Sequence, residues 1–245
     1  MTTVFGTWRF TKRKREGGVP RPSTSKLAVS NLVGPPPMCD FVVENPAHPG
    51  KLWQLPCVVR ALETPDPPCR LLTTSYCMYG SKYKKNTSFL TTIGNLRLLD
   101  PCTSEVHCKF TSSRCRQHPM SLLQAPQAER NSIPESLVHE IVRQFAAKHR
   151  VYDRRRFLLV DPFCGWGSVK KACADKAALA KAGVLQAGES LVVYSSDILP
   201  ARGEANADFD MCRFDLLTIV KFALLRNAPA LGIDQASLNA ASGLK

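Results

Sequence analysis

The segment that most constrains the fold of this chain is FLLVDPFCGWGSVKKA, residues 157–172. An apolar run ends in Asp161, a loop with Gly165 and Gly167 follows, and a helix-forming stretch comes next. Glycines permit a tight turn and let a ligand approach the backbone, while the next helix directs its first amides at that ligand. This order is typical of a nucleotide-type cofactor site opening an α/β domain. Here it begins only about two-thirds of the way along the chain.

Two further acids extend this candidate site. The predicted strand in VVYSSDI ends at Asp197, where an acid can accept hydrogen bonds from both hydroxyls of a ribose. Asp215, in CRFDLLTI, is a candidate to lie beside the adenine of the cofactor. The third glycine of the dinucleotide fingerprint is absent, which argues against NAD. The alternative is that the glycines end a strand for steric reasons only.

Composition and charge narrow the class of protein. The chain has 245 residues, of which 44% are hydrophobic, so it can bury a core. No apolar run approaches the roughly 18 residues of a membrane span, and no secretory signal is recognisable, so we expect an intracellular protein with no membrane partner. Ten cysteines in that setting favour thiols or metal ligands over disulfides. The net charge of +13 suits a nucleic-acid partner.

Composition also sets the N-terminal part of the chain apart. Residues 1–38 are basic and rich in Gly, Pro and Ser, which predicts a disordered tail. Its KRKR run is either a nuclear-import signal, a phosphate-binding arm or a solvated segment. The rest of the chain, from residue 39, is predicted to be structured.

Local patterns predict individual strands and helices there. CRLLTTSYCMYG and TSFLTTIG are rich in β-branched and aromatic residues and end at glycines, which predicts two strands. SIPESLVHEIVRQFAAKH predicts a helix, and residues 168–181 predict another. The alternation of strands and helices predicts a mostly parallel α/β sheet with helices on both faces. The apolar residues on one face of the first helix are Ile133, Leu137, Ile141, Val142 and Phe145.

The pattern DPFCGWGS resembles the first motif of Class I S-adenosylmethionine-dependent methyltransferases. The resemblance implies a Rossmann-like sheet and S-adenosylmethionine as cofactor. It also implies that five residues surround the methionine part of that cofactor, namely Asp161, Phe163, Gly165, Gly167 and Ser168. By the same resemblance Asp197 would hold the ribose.

The first half of the chain carries three further blocks: Glu44-Asn45-Pro46, YGSKYKKNTSF from Tyr79, and RNSIPESLVHEIV. Together these blocks resemble DNA cytosine-5 methyltransferases, especially their phage and large-virus branch. The resemblance implies that Glu44 is the acid beside the ring nitrogen of a flipped-out cytosine and that Asn45 positions it. Because late motifs precede early ones, it also implies a circularly permuted fold, with residues 39–150 as the C-terminal-type half and residues 151–245 as the S-adenosylmethionine-binding half. Fusion of two partial copies and an incomplete chain are the alternatives.

Methylation of carbon 5 needs a thiolate nucleophile. The family places it in a Pro-Pro-Cys turn, which LVGPPPMC resembles with one residue inserted, so Cys39 is the candidate. Yet Cys39 lies only five residues before Glu44, which leaves no room for an intervening helix. Two alternatives therefore stay open: a catalytically impaired nucleic-acid-binding protein, and a methyltransferase acting on RNA or on an exocyclic amine, which needs no thiol.

A cluster of cysteines and histidines lies within residues 102–118. Four of them predict a tetrahedral zinc site: Cys102, Cys108, Cys115 and His118. Their spacing is not that of a standard zinc finger, and a loop with free thiols is the alternative.

Overall fold

The computed structural model describes residues 2–7, 39–47, 51–63, 65, 68–112, 117–150, 155–161 and 167–195. Six strands in these ranges form one sheet: β1 (Thr2–Thr7), β2 (Cys39–Pro46), β3 (Arg70–Ser75), β4 (Asn86–Thr91), β5 (Arg156–Asp161) and β6 (Ser190–Ser195). Their order across the sheet is β3-β4-β2-β1-β5-β6.

The sheet is mixed. Strands β3, β4 and β2 form an antiparallel section, in which β4 pairs with both neighbours. Strands β5 and β6 form a parallel pair, and β1 joins the two parts by pairing parallel with β2 and with β5. The predicted circularly permuted, Rossmann-like parallel sheet is therefore wrong.

The short connection between β3 and β4 explains why these two strands are antiparallel. Residues 76–85 join these strands with only a 3-10 turn, Tyr76–Tyr79, and no crossover helix. A parallel pair needs a crossover of about a dozen residues or more, usually a helix, whereas antiparallel neighbours can be joined by a short loop. The β-branched and aromatic residues of these segments predicted both strands but carried no information about their direction.

Five α-helices accompany the sheet in the described residues: α1 (Pro56–Glu63), α2 (Gln127–Asn131), α3 (Glu135–Arg150), α4 (Ser168–Ala172) and α5 (Lys176–Lys181). A second 3-10 turn is Lys51–Gln54. The helix predicted over 168–181 is interrupted between α4 and α5. Asp175 starts α5, because its carboxylate accepts hydrogen bonds from the amides of Ala177 and Ala178.

Helix α3 supplies much of the core. The predicted apolar face is buried, which confirms the predicted helix: Leu137, Ile141, Val142 and Phe145 lie in α3, and Ile133 lies just before it. Phe145 meets Phe157 of β5 edge to face, with ring centroids 5.9 Å apart. Burying such side chains contributes about 1.5–3 kcal/mol each, so α3 is fixed firmly to the sheet.

Strand β1 lies inside the segment predicted to be a disordered tail. That prediction is wrong for Thr2–Thr7, which pair along their whole length with β2. The rest of the predicted tail, residues 8–38, lies outside the described residues and includes the KRKR run. In the part of the chain that the structure describes, no helix is both long enough and apolar enough to cross a membrane.

Candidate functional site

A buried carboxylate with three polar partners lies at the end of β2. Glu44 is 1% exposed. Its Oε1 accepts hydrogen bonds from the Tyr76 hydroxyl at 2.9 Å and from the Thr87 hydroxyl. The Lys85 ammonium lies 3.5 Å from the same oxygen and is itself 10% exposed. A buried charge is tolerated only when it is paired and hydrogen-bonded, and Glu44 meets both conditions.

Lys85 is fixed by more than its ion pair. Its Nζ lies 4.3 Å from the centre of the Tyr76 ring and donates to the Arg130 carbonyl at 3.3 Å. The backbone joins the same elements, because the Tyr76 amide donates to the Lys85 carbonyl at 2.9 Å. Glu44, Tyr76 and Lys85 therefore form a rigid group. We call these three residues, together with Thr87, the Glu44 cluster.

Asn45 and Cys39 occupy different ends of β2. Asn45 is buried and pairs with Ser88, and its carbonyl accepts from Thr87 at 3.1 Å. Cys39 is the first residue of β2, at the opposite end of the strand from Glu44. Five residues of extended chain span roughly 16 Å. The structure therefore does not bring Cys39 to the Glu44 cluster.

Asp161 lies at the same edge of the sheet as Glu44. It ends β5, is 1% exposed and pairs with Ser195 at the end of β6. Strands β2, β1 and β5 run parallel, so their carboxyl ends meet at one edge. Glu44 and Asp161 are separated by one strand, a lateral distance of about 10 Å.

The turn after β5 is described only in part. Gly167 precedes α4 with a φ of 67°, a left-handed conformation that favours glycine, and Ser168 is the first residue of α4. Four predicted cofactor residues lie outside the described residues: Phe163, Gly165, Asp197 and Asp215.

Cys173, which follows α4, is buried near Asp161. Burial, together with the negative charge of Asp161, raises the pKa of the Cys173 thiol to about 12. A thiol with such a pKa stays protonated at neutral pH and is a poor nucleophile. Cys173 is therefore a packing residue beside the candidate site.

A second group of residues can hold a metal ion. The ligand atoms of Cys77, Cys102, Cys108 and His118 all lie within 4.8 Å of one another. The three predicted residues Cys102, Cys108 and His118 are thus brought together. Cys115, the fourth predicted ligand, lies outside the described residues, and Cys77 from the Tyr76–Tyr79 turn stands in this group. We call these four residues the Cys3His group.

The geometry of the Cys3His group suits tetrahedral coordination. The Nε2 of His118 lies 3.8 Å from the Cys102 sulfur and 3.5 Å from the Cys108 sulfur. Zinc bonds of about 2.3 Å to sulfur and about 2.0 Å to nitrogen place such ligand atoms roughly 3.6 Å apart in a tetrahedron. The atoms therefore need little movement to hold an ion.

Hydrogen bonds and charges prepare two of these ligands. Burial raises the pKa of the Cys108 thiol, but hydrogen bonds from Thr111 and from the Phe110 amide outweigh it and lower the pKa overall. Burial and the charge of Lys84 lower the pKa of His118, which keeps its imidazole neutral. Thiolate and neutral imidazole are the forms that bind metals.

Sequence reasoning missed Cys77 because it lies 25 residues before Cys102. The cue available in the sequence is the Ser-Tyr-Cys context at the end of a predicted strand, which fixes the residue in place.

Comparison with protein-family models, with curated proteins and with solved structures found no match to this chain.

Proposed function

We propose that this chain is an S-adenosylmethionine-dependent methyltransferase-like protein that acts on cytosine in DNA. The observation that carries the proposal is the placement of two buried carboxylates, Glu44 and Asp161, one strand apart at one edge of the sheet. Ligands of α/β proteins bind at the carboxyl ends of parallel strands, so both acids face a common region.

The residues around Asp161 suit a polar cofactor. The Ser195 hydroxyl, directly across from Asp161, is buried and has no hydrogen-bond partner among the described residues. Gly167 precedes α4 in a left-handed conformation that favours glycine. Asp161, Gly167 and Ser168 would hold S-adenosylmethionine, which supplies an electrophilic methyl group when bound.

Glu44 would contact the base. A cytosine extruded from the duplex presents its ring nitrogen and amino group to a pocket, and a carboxyl group there can hydrogen-bond both. Tyr76 and Thr87 fix the orientation of this carboxyl group, and Lys85 supplies a nearby proton donor. Asn45 holds the backbone beside it through Thr87.

One observation favours a second candidate function. Cys39 stands roughly 16 Å along β2 from Glu44, too far for both to act on one base. The position of Cys39 supports a catalytically impaired nucleic-acid-binding protein that keeps the cofactor and base sites. A methyltransferase that forms no thiol adduct, acting on RNA or on an exocyclic amine, would also be compatible with this separation.

We also propose that the Cys3His group holds zinc. Three thiolates and one imidazole are a common ligand set of structural zinc sites, and the four ligand atoms are already assembled. With four protein ligands no position is left for a substrate, so the ion would stabilise the loop and take no part in chemistry.

Calorimetric titration with S-adenosylmethionine tests the proposal first. We expect binding by the native chain, at least about tenfold weaker binding by Asp161→Asn, and unchanged binding by Asp175→Asn, which alters only an exposed helix cap. A folded chain that binds no S-adenosylmethionine would refute it. Transfer of a labelled methyl group to DNA then separates the two functions, since the impaired protein binds the cofactor and transfers nothing.

A further inference from the structure

A cleft of about 920 Å³ lies on the outer side of α3, away from the Glu44 cluster. One wall is α3 itself, with Glu140 and Arg143. The other wall contains Tyr79 and the loop that carries Arg97, and Lys109 also lines the cleft. A cleft of this volume can hold a nucleotide-sized group.

Side-chain hydrogen bonds join the two walls. The Gln144 amide group of α3 donates to the Arg97 carbonyl at 2.6 Å and accepts from the Arg97 amide at 2.7 Å. The Ser136 hydroxyl donates to the Tyr79 carbonyl at 2.7 Å. Within the second wall, the Leu99 amide donates to the Tyr79 hydroxyl at 2.8 Å. The cleft is thus preformed, and ligand binding requires little rearrangement of its walls.

The cleft carries a positive charge. Glu140 is matched by Arg143, whose guanidinium donates two hydrogen bonds to it at 3.0 and 2.6 Å. Two cations remain. The Arg97 guanidinium forms no hydrogen bond or ion pair with any described residue, and the Lys109 ammonium lies 5.0 Å from the Phe110 ring centre. Both side chains are exposed and can reach an anion.

An apolar surface lies beside these cations. Leu99 is 50% exposed and lines the cleft together with Met78. A nucleic-acid strand offers this combination of chemistry, since its phosphates need cations and its sugars and bases cover apolar side chains. The overall charge of +13 attracts the same partner.

We propose that this cleft binds the backbone phosphates of a nucleic-acid strand through Arg97 and Lys109. The inference rests on the proposed function, which makes DNA the substrate. It adds a binding surface for the strand that is separate from Glu44 and Asp161. Lys109 directly follows Cys108, so the Cys3His group holds the end of the cleft in place.

Fluorescence anisotropy with a labelled DNA duplex tests the inference. We expect the double variant Arg97→Ala/Lys109→Ala to bind at least about tenfold more weakly than the native chain, and the slope of log K against log salt to fall by about two. The matched control is Lys176→Ala/Lys181→Ala, which removes two exposed charges from α5. It should change affinity only slightly. Arg97→Lys, which keeps the charge, should retain most of the binding.

Three outcomes would overturn the inference. If native and cleft variants bind DNA equally, the cleft is not the binding surface and the proposed function stands. If the native chain binds no DNA, the proposed function and the cleft inference both fail. If a nucleoside triphosphate alone binds tightly and depends on Arg97 and Lys109 while DNA binding does not, the site takes free phosphates and not a strand.

Discussion

Tyr76 and Cys77 are adjacent in the chain, and their side chains belong to two different clusters. The Tyr76 hydroxyl donates to Glu44 at 2.9 Å, while the Cys77 sulfur lies in the Cys3His group. Both residues belong to one 3-10 turn, which ends at Gly80. A metal ion bound by Cys77 would therefore restrain the turn that holds Tyr76 against Glu44.

Replacement of Cys77 by serine should abolish stoichiometric zinc binding. We expect about one zinc ion per native chain, a markedly lower content in Cys77→Ser, and a lower melting temperature after chelation of the native protein. Elemental analysis and thermal unfolding measure these quantities. Cys69→Ser is the control, because Cys69 is also buried but lies outside the Cys3His group. Equal zinc content in both variants would contradict the assignment.

Replacement of Tyr76 by phenylalanine should weaken the Glu44 cluster and leave the metal group intact. The variant loses one hydrogen bond to a buried carboxylate, so we expect the free energy of unfolding to fall by about 1.5–3 kcal/mol. Chemical denaturation measures this change. The zinc content of the variant should equal that of the native chain. A loss of zinc would show that the Tyr76 hydroxyl is needed for folding of the whole turn.

Stability should fall in acid because of Asp40. This buried residue of β2 accepts from Lys148 at 2.8 and 2.9 Å and contacts His149 at 2.9 Å. Burial raises the pKa of Asp40, but the bonds with His149 and Lys148 outweigh it, so the folded pKa is lowered. The stabilisation is therefore present above the unfolded value near 3.9 and is lost as the pH falls through the folded pKa.

Denaturation of Asp40→Asn at several pH values checks this expectation. At neutral pH the variant should be less stable by about 2–4 kcal/mol, because it leaves the charge of Lys148 and the ring of His149 without their partner. The difference from the native chain should start to shrink below about pH 4, the unfolded pKa of an aspartate, and should be lost as the pH falls through the lower pKa of folded Asp40. A difference that stays constant across this pH range would contradict the role of Asp40.

Replacement of Gly80 by alanine should strain the end of the Tyr76–Tyr79 turn. Gly80 has a φ of 97°, which side-chain-bearing residues rarely adopt, so we expect a loss of about 1–3 kcal/mol. Space is not the cause, because an added Cβ would lie 3.7 Å from the Lys109 ammonium. Gly94→Ala is the control, since a Cβ there meets nothing within 4 Å. Similar unfolding energies for both variants would exclude backbone strain at Gly80.

Local pattern in the sequence predicted the elements whose signals lie in neighbouring residues. Helix α3 follows from apolar residues spaced at three and four positions, and that face is buried. Cys102, Cys108 and His118 were predicted as a group because a short loop keeps them near one another. Asp161 was singled out because it ends an apolar run before a glycine loop, whereas Glu44 was singled out only through the resemblance of Glu44-Asn45-Pro46 to a family motif.

Only the tertiary structure decided which distant segments meet. The sequence determined that strands exist near residues 70–75 and 86–91, but their antiparallel pairing depends on a connection that can close only one way. Cys77 lies 25 residues before Cys102 in the sequence. It belongs to the Cys3His group because its turn directly follows β3, which ends beside the other three ligands. Strand β1 went unpredicted because six residues carry too little local signal, and its hydrogen bonds form only with strands about 40 and 155 residues away.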